Sequence, residues 1–106
     1  MEEILQKLMI TEKPITKWVH QNKSFAITAI GLKKGNTLKK HLTRAPTSLI
    51  MLQGKINCSI ADLQYSLDVF ESLEIPINQQ HQIDAVEDAI FLRWFFLHLP
   101  KTTQKS

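Results

Sequence analysis

The sequence contains little cysteine, glycine or proline. Structural features that depend on several of these residues, such as disulfides and glycine-rich loops, are therefore not expected. Its 106 residues include one cysteine, three glycines and four prolines. Cys58 has no second cysteine for an internal disulfide or for a zinc site. There is no glycine-rich phosphate loop, no serine in a nucleophile-elbow context and no internal repeat. These absences argue against the common nucleotide-binding, hydrolase and zinc-dependent classes.

Long hydrophobic runs and a secretory leader are missing as well. The longest apolar stretch, residues 89–99, is interrupted by Arg93 and His98 and is too short to span a bilayer. The first residues include Glu2 and Glu3, where a leader needs positive charge. Together with the single cysteine, this predicts a soluble cytoplasmic protein that has no membrane partner.

Positive charge is concentrated in the first half of the chain. The formal net charge is +3, and residues 1–55 hold ten of the thirteen basic residues but three of the ten acidic ones. The basic residues do not follow a helix, and no aromatic residues interleave with them as stacking platforms for bases. We therefore expect a solvated basic loop and no nucleic-acid partner. The residues concerned are Lys33, Lys34, Lys39, Lys40 and Arg44.

Hydrophobic periodicity predicts one short helix followed by strands. Apolar residues recur at helical spacing over Glu2–Met9, and Pro14 ends that pattern. Short alternating segments rich in β-branched and aromatic residues then follow at intervals of about ten residues. Together they indicate an all-β sandwich or barrel. The predicted strands lie in 23–32, 48–54, 55–67 with a break at 61–62, 71–77 and 88–99.

The last of these strands is apolar on both faces, which one core alone does not explain. One face carries Ile90, Leu92, Trp94 and Phe96, and the other carries Phe91, Arg93, Phe95 and Leu97. Either the strand is central and is covered by the N-terminal segment, or its outer face meets a second subunit.

The spacing of the punctuating residues is specific, and it resembles the two-motif signature of the small cupins from Phe25 to about Leu97. The first motif consists of Gly35, His41, Thr43, Thr47 and Gly54; the second consists of Phe70, Pro76, Asn78, His81 and Ala85. The resemblance implies a cupin-type double-stranded β-helix, or jelly-roll barrel. We expect residues 25–99 to form it, residues 1–24 to be an N-terminal helix and strand that packs or dimerises, and residues 100–106 to be a flexible tail.

The match departs from the family at both glycines of the second motif. Asn78 replaces a turn glycine and is well able to adopt a left-handed conformation. Phe70 replaces the opening glycine, so we expect a reshaped turn there. Whether side chains such as Ile50, Leu52 and Phe70 fill the interior of the barrel is left open.

The resemblance also implies a binding site, at the four positions where metal-binding cupins carry three histidines and a glutamate. Here these positions are His41, Thr43, Thr47 and His81, so only two histidines remain. We expect the two to face each other across the interior. They act either as ligands of a loosely held divalent transition metal such as Ni, Cu or Zn, as contacts for a small molecule, or as hydrogen-bonded structural residues. No firmly bound cofactor is expected.

We therefore expect a non-catalytic cupin that binds a small ligand or serves as an interaction barrel. The alternative is a metal-dependent cupin enzyme of the dioxygenase or isomerase type with an incomplete site of two histidines. If the basic loop forms the rim of the barrel, it steers an anionic small molecule inward.

The expected partner of the chain, besides that small molecule, is a second copy. Small cupins often pair through N-terminal strands, so Trp18 and Val19, with the outer face of residues 91–97, predict a homodimer. Among the remaining candidates, His20 is expected in an exposed turn, His98 at a strand edge, and Cys58 as a buried, inert thiol.

Overall fold

The structure is built of β-strands. The computed structural model describes residues 14–42 and 45–97, with the backbone alone for residues 39–42. Within these ranges there is no helix, and every predicted strand between residues 23 and 97 is present. The predicted helix Glu2–Met9 and the tail 100–106 lie outside the described residues. The strands are β1 (Ile15–Gln21), β2 (Phe25–Leu32), β3 (Thr37–Leu42), β4 (Thr47–Gln53), β5 (Ile56–Ile60), β6 (Leu63–Leu67), β7 (Ser72–Ile75), β8 (Gln80–Ala85) and β9 (Ala89–Phe96).

Two antiparallel sheets form the molecule. The five-stranded sheet has the order β1-β2-β9-β4-β7 and the four-stranded sheet has the order β3-β8-β5-β6. Two connections, β1–β2 and β5–β6, stay within one sheet, and each of the others passes from one sheet to the other. This repeated crossing winds the chain into the expected jelly-roll barrel, so the all-β prediction is confirmed.

The core lies between the two sheets, because each inner strand presents alternate apolar residues to it. It draws on both sheets and includes fully buried side chains such as Phe91 and Leu49. The buried members are Ile30, Leu32, Leu49, Met51, Ile56, Cys58, Ile60, Leu67, Ile75, Ile83, Ala85, Ala89 and Phe91.

The last strand, β9, is central in its sheet. This is the position that the first of the two interpretations of its apolar faces required. It pairs with β2 on one side and with β4 on the other. Phe91 lies in the core, whereas Ile90 on the opposite face forms a second, smaller apolar cluster with Ala29. Hence the five-stranded sheet buries apolar residues on both of its faces.

One end of the barrel, the glycine end, consists of the connections 33–36, 54–55, 68–71 and 86–88. Its loops are joined by backbone hydrogen bonds: the Gly35 amide donates to the Ala85 carbonyl at 2.9 Å, and the Val86 amide donates to the Lys55 carbonyl at 2.9 Å. The Lys34 amide also donates to the Asp88 carboxylate at 2.8 Å. These bonds fix the loops of this end relative to one another.

The opposite end, the histidine end, consists of the connections 22–24, 61–62 and 76–79 and of residues 45–46 before β4. Asn22 forms the tight turn between β1 and β2, where its side-chain oxygen accepts hydrogen bonds from the amides of Ser24 (2.7 Å) and Phe25 (2.9 Å). At Asn78 the backbone has a positive φ of 59°, the left-handed conformation expected for this residue.

Three local expectations need correction. The predicted basic loop is in part a strand, since residues 37–42 form β3 and pair with β8. His20 lies within β1 rather than in a turn, although it is exposed as expected. At Phe70, where we expected a reshaped turn, the backbone has a positive φ of 70°, the conformation that favours glycine, and the side chain is 83% exposed. Phe70 therefore does not fill the interior.

Candidate ligand-binding site

The residues of the implied binding site that the structure describes lie together at the histidine end. His41 is the penultimate residue of β3, Thr47 is the first residue of β4, and His81 is the second residue of β8. The strand β3 ends where β4 begins, and the connection 76–79 enters β8 there, so all three residues lie at the same end of the barrel. Thr43 lies outside the described residues.

His41 and His81 are backbone neighbours in one sheet. They are register partners on the adjacent antiparallel strands β3 and β8, so the expectation that they face each other across the interior is wrong. The register has an irregularity between Leu38 and His41, because Leu38 pairs with Ile83 and His41 pairs with His81. Between these pairs, two residues of β3, Lys39 and Lys40, therefore stand opposite one residue of β8, Gln82, which is the count of a β-bulge.

Thr47 and His81 are buried polar residues at this end. Each is 3% exposed. Thr47 donates a hydrogen bond from its hydroxyl to the Ala45 carbonyl at 3.2 Å and pairs with Phe95 of β9. His81 lies between β3 and β5, with Ile60 as its partner on β5. The histidine end of the barrel thus carries buried hydrogen-bonding side chains.

Two further interior residues, Thr28 and Arg93, were missed by the sequence reasoning. They are register partners on β2 and β9, on the face of β9 that carries Phe91. Thr28 is 1% exposed, and its Oγ1, like the Nε of Arg93, is buried and makes no hydrogen bond to any described residue. The only signal in the sequence was an arginine within an otherwise apolar strand.

The environment of Arg93 is mostly apolar. Its guanidinium carbon lies 5.1 Å from the centre of the Phe95 ring, within cation–π range. Burial lowers the pKa of Arg93 from its ordinary value, because desolvation disfavours the charged form. No carboxylate within the described ranges forms an ion pair with it.

The donor set does not fit a metal ion. A first-row metal in a protein usually takes three or four imidazole, thiolate or carboxylate ligands, and a threonine hydroxyl replaces none of them well. Among the side chains that the structure describes, no three His, Cys, Asp or Glu are grouped closely enough to hold a metal. Asp84 does not substitute for Thr47, since it accepts hydrogen bonds from Thr37 Oγ1 (2.6 Å) and Gln82 Nε2 (3.1 Å).

The basic residues do not form one rim around the candidate site. Lys33 and Lys34 lie in the connection 33–36 at the glycine end, and so at the opposite end of the barrel from His81. Lys39 and Lys40 lie within β3, and Arg44 is outside the described residues. The expected steering of an anion by a single basic loop is therefore not supported for Lys33 and Lys34.

The remaining candidates lie elsewhere. Cys58 is 0% exposed and unpaired in β5, as expected for an inert thiol. Trp18 and Val19 are 57% and 53% exposed on the edge strand β1. His98 lies outside the described residues.

Solved structures share this architecture and establish the fold. The conserved SPY1581 protein of unknown function from Streptococcus pyogenes has a TM-score of 0.77 at 19% identity, and the match covers 85% of this chain and 79% of that one. An RmlC-like cupin from Shewanella frigidimarina has a TM-score of 0.77 at 15% identity, covering 88% and 84%. KdgF from Halomonas sp. has a TM-score of 0.77 at 14% identity, covering 88% of both chains.

This chain has the cupin fold, and the fold that the motif spacing implied is confirmed. Neither the protein-family models nor the curated protein sequences yield a match. At identities this low, the likeness to solved structures defines the architecture and leaves the activity to the site itself. Within the described ranges there is no helix with the length and hydrophobicity needed to cross a membrane.

Proposed function

We propose that this chain is a non-catalytic, small-ligand-binding cupin whose ligand occupies the histidine end of the barrel. The observation that carries the proposal is the burial of two hydrogen-bonding side chains, Thr47 and His81, at one end of a mostly apolar core. Ligand sites in proteins are typically apolar surroundings with a few polar groups that fix orientation. In this proposal His41 and Thr43 complete the polar set, as the motif spacing implies.

The chemistry of the described residues favours binding over catalysis. The only cysteine is fully buried, and burial, together with the charge of Asp84, raises its pKa to about 11, so it is not a thiolate near neutral pH. The metal positions retain two histidines and no carboxylate, which removes the ligand set that a cupin dioxygenase or isomerase would need.

The test is an NMR titration of isotope-labelled protein with benzoate and with benzamide, two small probes of the same shape. We expect amide shifts to concentrate at residues 47 and 81 and their strand partners. The variant His81→Leu should lose or weaken the response to at least one probe. His20→Leu is the matched control, because His20 is an exposed histidine on β1, and it should respond as the wild type does.

Shifts that scatter over the surface, or that survive His81→Leu unchanged, would contradict a site at the histidine end. Circular dichroism of each variant before titration separates a lost site from a lost fold.

We also propose that the outer face of the five-stranded sheet pairs with a second copy of the chain. The outward positions of β2, β9 and the facing part of β4 carry no charged residue, and Ile50 is 38% exposed there. A two-fold interface uses the same patch of both copies, so the uncharged centre of this face, flanked by Lys17 of β1 and Glu74 of β7, avoids like-charge repulsion there. Phe25, Trp94 and Phe96 form an aromatic series along it, with ring centres 5.7 and 4.7 Å apart.

Light scattering on a size-exclusion column tests this pairing, since the monomer mass is 12.2 kDa. We expect twice that mass at micromolar concentration and a shift toward the monomer in Ile50→Lys. Leu63→Lys, at a 61% exposed position of the other sheet, is the control and should leave the mass unchanged. A wild-type monomer would contradict the pairing.

A further inference from the structure

Arg93 is a charged, partly buried residue at an inward position of β9. Its register partner on β4 is Leu49, and its neighbour two positions back is Phe91, and both of these are fully buried core residues. Arg93 is the only Asp, Glu, Lys or Arg at an inward strand position whose side chain is described. A charge at such a position is costly unless something compensates it.

The group beside it is a second buried donor. Thr28, the register partner of Arg93 on β2, is 1% exposed, and its hydroxyl makes no hydrogen bond to the described part of the chain. The buried Nε of Arg93 likewise makes no hydrogen bond to the described part of the chain. Two adjacent buried polar groups without partners are rare in proteins, because each costs free energy when it is left unsatisfied.

The chemistry of these two groups specifies what would satisfy them. A guanidinium offers only donors, in a planar fork that matches a carboxylate, and a threonine hydroxyl can donate as well. The missing partner is therefore an acceptor. Because Arg93 brings one formal positive charge, a single negative charge balances it, whereas a dianion would leave excess charge in a desolvated site.

The position of the pair connects it to the histidine end. On β9, Arg93 lies one inward step deeper than Phe95, whose partner on β4 is Thr47. The Phe95 ring lies beside the guanidinium at 5.1 Å. An anion bound at Arg93 would thus lie next to the Phe95 ring. The buried polar residues of the histidine end would lie beyond that ring.

We infer that the ligand of this barrel is a small monocarboxylate whose carboxylate binds the guanidinium of Arg93 and the hydroxyl of Thr28, with its apolar body against Phe95. The inference rests on the proposed binding function and assigns the ligand class and two contacts that the cupin motifs do not contain.

The experiment compares the same two probes, benzoate and its neutral isostere benzamide, with phenyl phosphate as a dianionic arm. NMR titrations follow the backbone amides and the Arg93 Nε–H resonance. The variants are Arg93→Gln, which removes the charge, Arg93→Lys, which keeps the charge but loses the planar fork, and Thr28→Val, which removes the hydroxyl at nearly constant volume.

We expect benzoate to bind at least about tenfold more tightly than benzamide, since a hydrogen bond to a charged group contributes more than 1.4 kcal/mol. Benzoate should move the Nε–H resonance of Arg93 and should bind at least about tenfold more weakly to Arg93→Gln, with Arg93→Lys between the two. Phenyl phosphate should bind more weakly than benzoate. The variant Thr28→Val should weaken the binding of benzoate but not that of benzamide.

Several outcomes would overturn the inference, and they can be distinguished from a failure of the proposed function. Equal binding of benzoate to wild type and Arg93→Gln, with loss in His81→Leu, would leave a ligand site at the histidine end but no anchor at Arg93. Tighter binding of phenyl phosphate than of benzoate would reject the monoanion. If no probe perturbs residues 47, 81 or 93, both proposals fail.

Discussion

Gly54 packs directly against the backbone carbonyl of Asp88 at the glycine end of the barrel. A β-carbon at Gly54 would overlap that carbonyl oxygen and would lie 3.0 Å from the α-carbon of Ala89. The residue also has a positive φ of 78°. We expect Gly54→Ala to lower the free energy of unfolding by about 2–4 kcal/mol, from left-handed strain and from overpacking together. Urea unfolding, monitored by circular dichroism, measures this change in the free energy of unfolding.

Gly35→Ala is the matched control for this prediction. Gly35 has a comparable φ of 87°, but a β-carbon there would meet nothing within 4 Å. Only the backbone strain applies, so we expect a loss of about 1 kcal/mol. Equal losses for the two variants would show that the contact with Asp88 is not the cause.

The exposed Phe70 should be replaceable with a gain in stability. Its φ of 70° is strained for any residue with a β-carbon, and its side chain, 83% exposed, contributes little burial. We expect Phe70→Gly to raise the free energy of unfolding by about 0.5–1 kcal/mol, because relief of strain exceeds the added freedom of the unfolded chain. Thermal and urea unfolding both report it. A clear loss of stability in Phe70→Gly would show instead that the aromatic ring makes stabilising contacts.

Cys58 should make the protein less stable at alkaline pH. Burial first, and the charge of Asp84 second, raise its pKa from 9.0 to about 11. The folded state therefore binds the proton more tightly than the unfolded state does, and this stabilisation is complete below pH 9.0 and is lost between the two values. We expect about 2 kcal/mol to be lost over that interval.

Cys58→Ala separates this effect from other alkaline titrations. The variant should be less stable near neutral pH, since it leaves a small cavity, but its stability should fall less steeply as the pH rises above 9.0. Parallel slopes for wild type and variant would contradict the assigned titration.

Arg93→Met should stabilise the protein. The buried Nε of Arg93 has no hydrogen-bond partner in the described ranges, which costs free energy, and methionine fills similar space without charge, so we expect a gain of roughly 1–3 kcal/mol. Burial lowers the pKa of Arg93, so the folded state disfavours the charged form. Well below this pKa, Arg93 is fully charged in both the folded and the unfolded state. The stability gained by Arg93→Met should therefore not depend on pH near neutrality. Lys23→Met, at an exposed turn position, should change stability little.

Metal content should be low. Plasma mass spectrometry of untagged protein should find far less than one metal ion per chain, because two histidines and no carboxylate bind first-row metals loosely. Near-stoichiometric metal that disappears in a His41→Ala, His81→Ala double variant would reverse this conclusion and make a metal-dependent enzyme the better interpretation.

The fold could be predicted because its strands are locally encoded. Alternating apolar residues in 23–32 and 48–54 predict strands without reference to their partners, and motif spacing supplied the topology. The strand β3 was missed because its polar sequence, with Lys39, Lys40 and His41, hides any alternation. It forms by pairing with β8, where Thr37 donates a hydrogen bond to Asp84.

The site was less predictable, since it depends on pairing between distant segments. The relation between His41 and His81 follows from an irregular register that no local pattern records. Likewise, the apolar alternation of β9 could not say which of its faces is inward, so Arg93 was noticed in the sequence but not assigned a role. Its partner Thr28 lies 65 positions earlier in the chain.

The separation of the glycine end from the histidine end has a consequence for how such a barrel diversifies. The contacts that constrain the backbone most tightly, at Gly54 and Asp88, are remote from the positions that would meet a ligand. In the proposed site, substitutions at Thr28, Thr47, His81 and Arg93 are expected to alter ligand selectivity without touching the contact between Gly54 and Asp88.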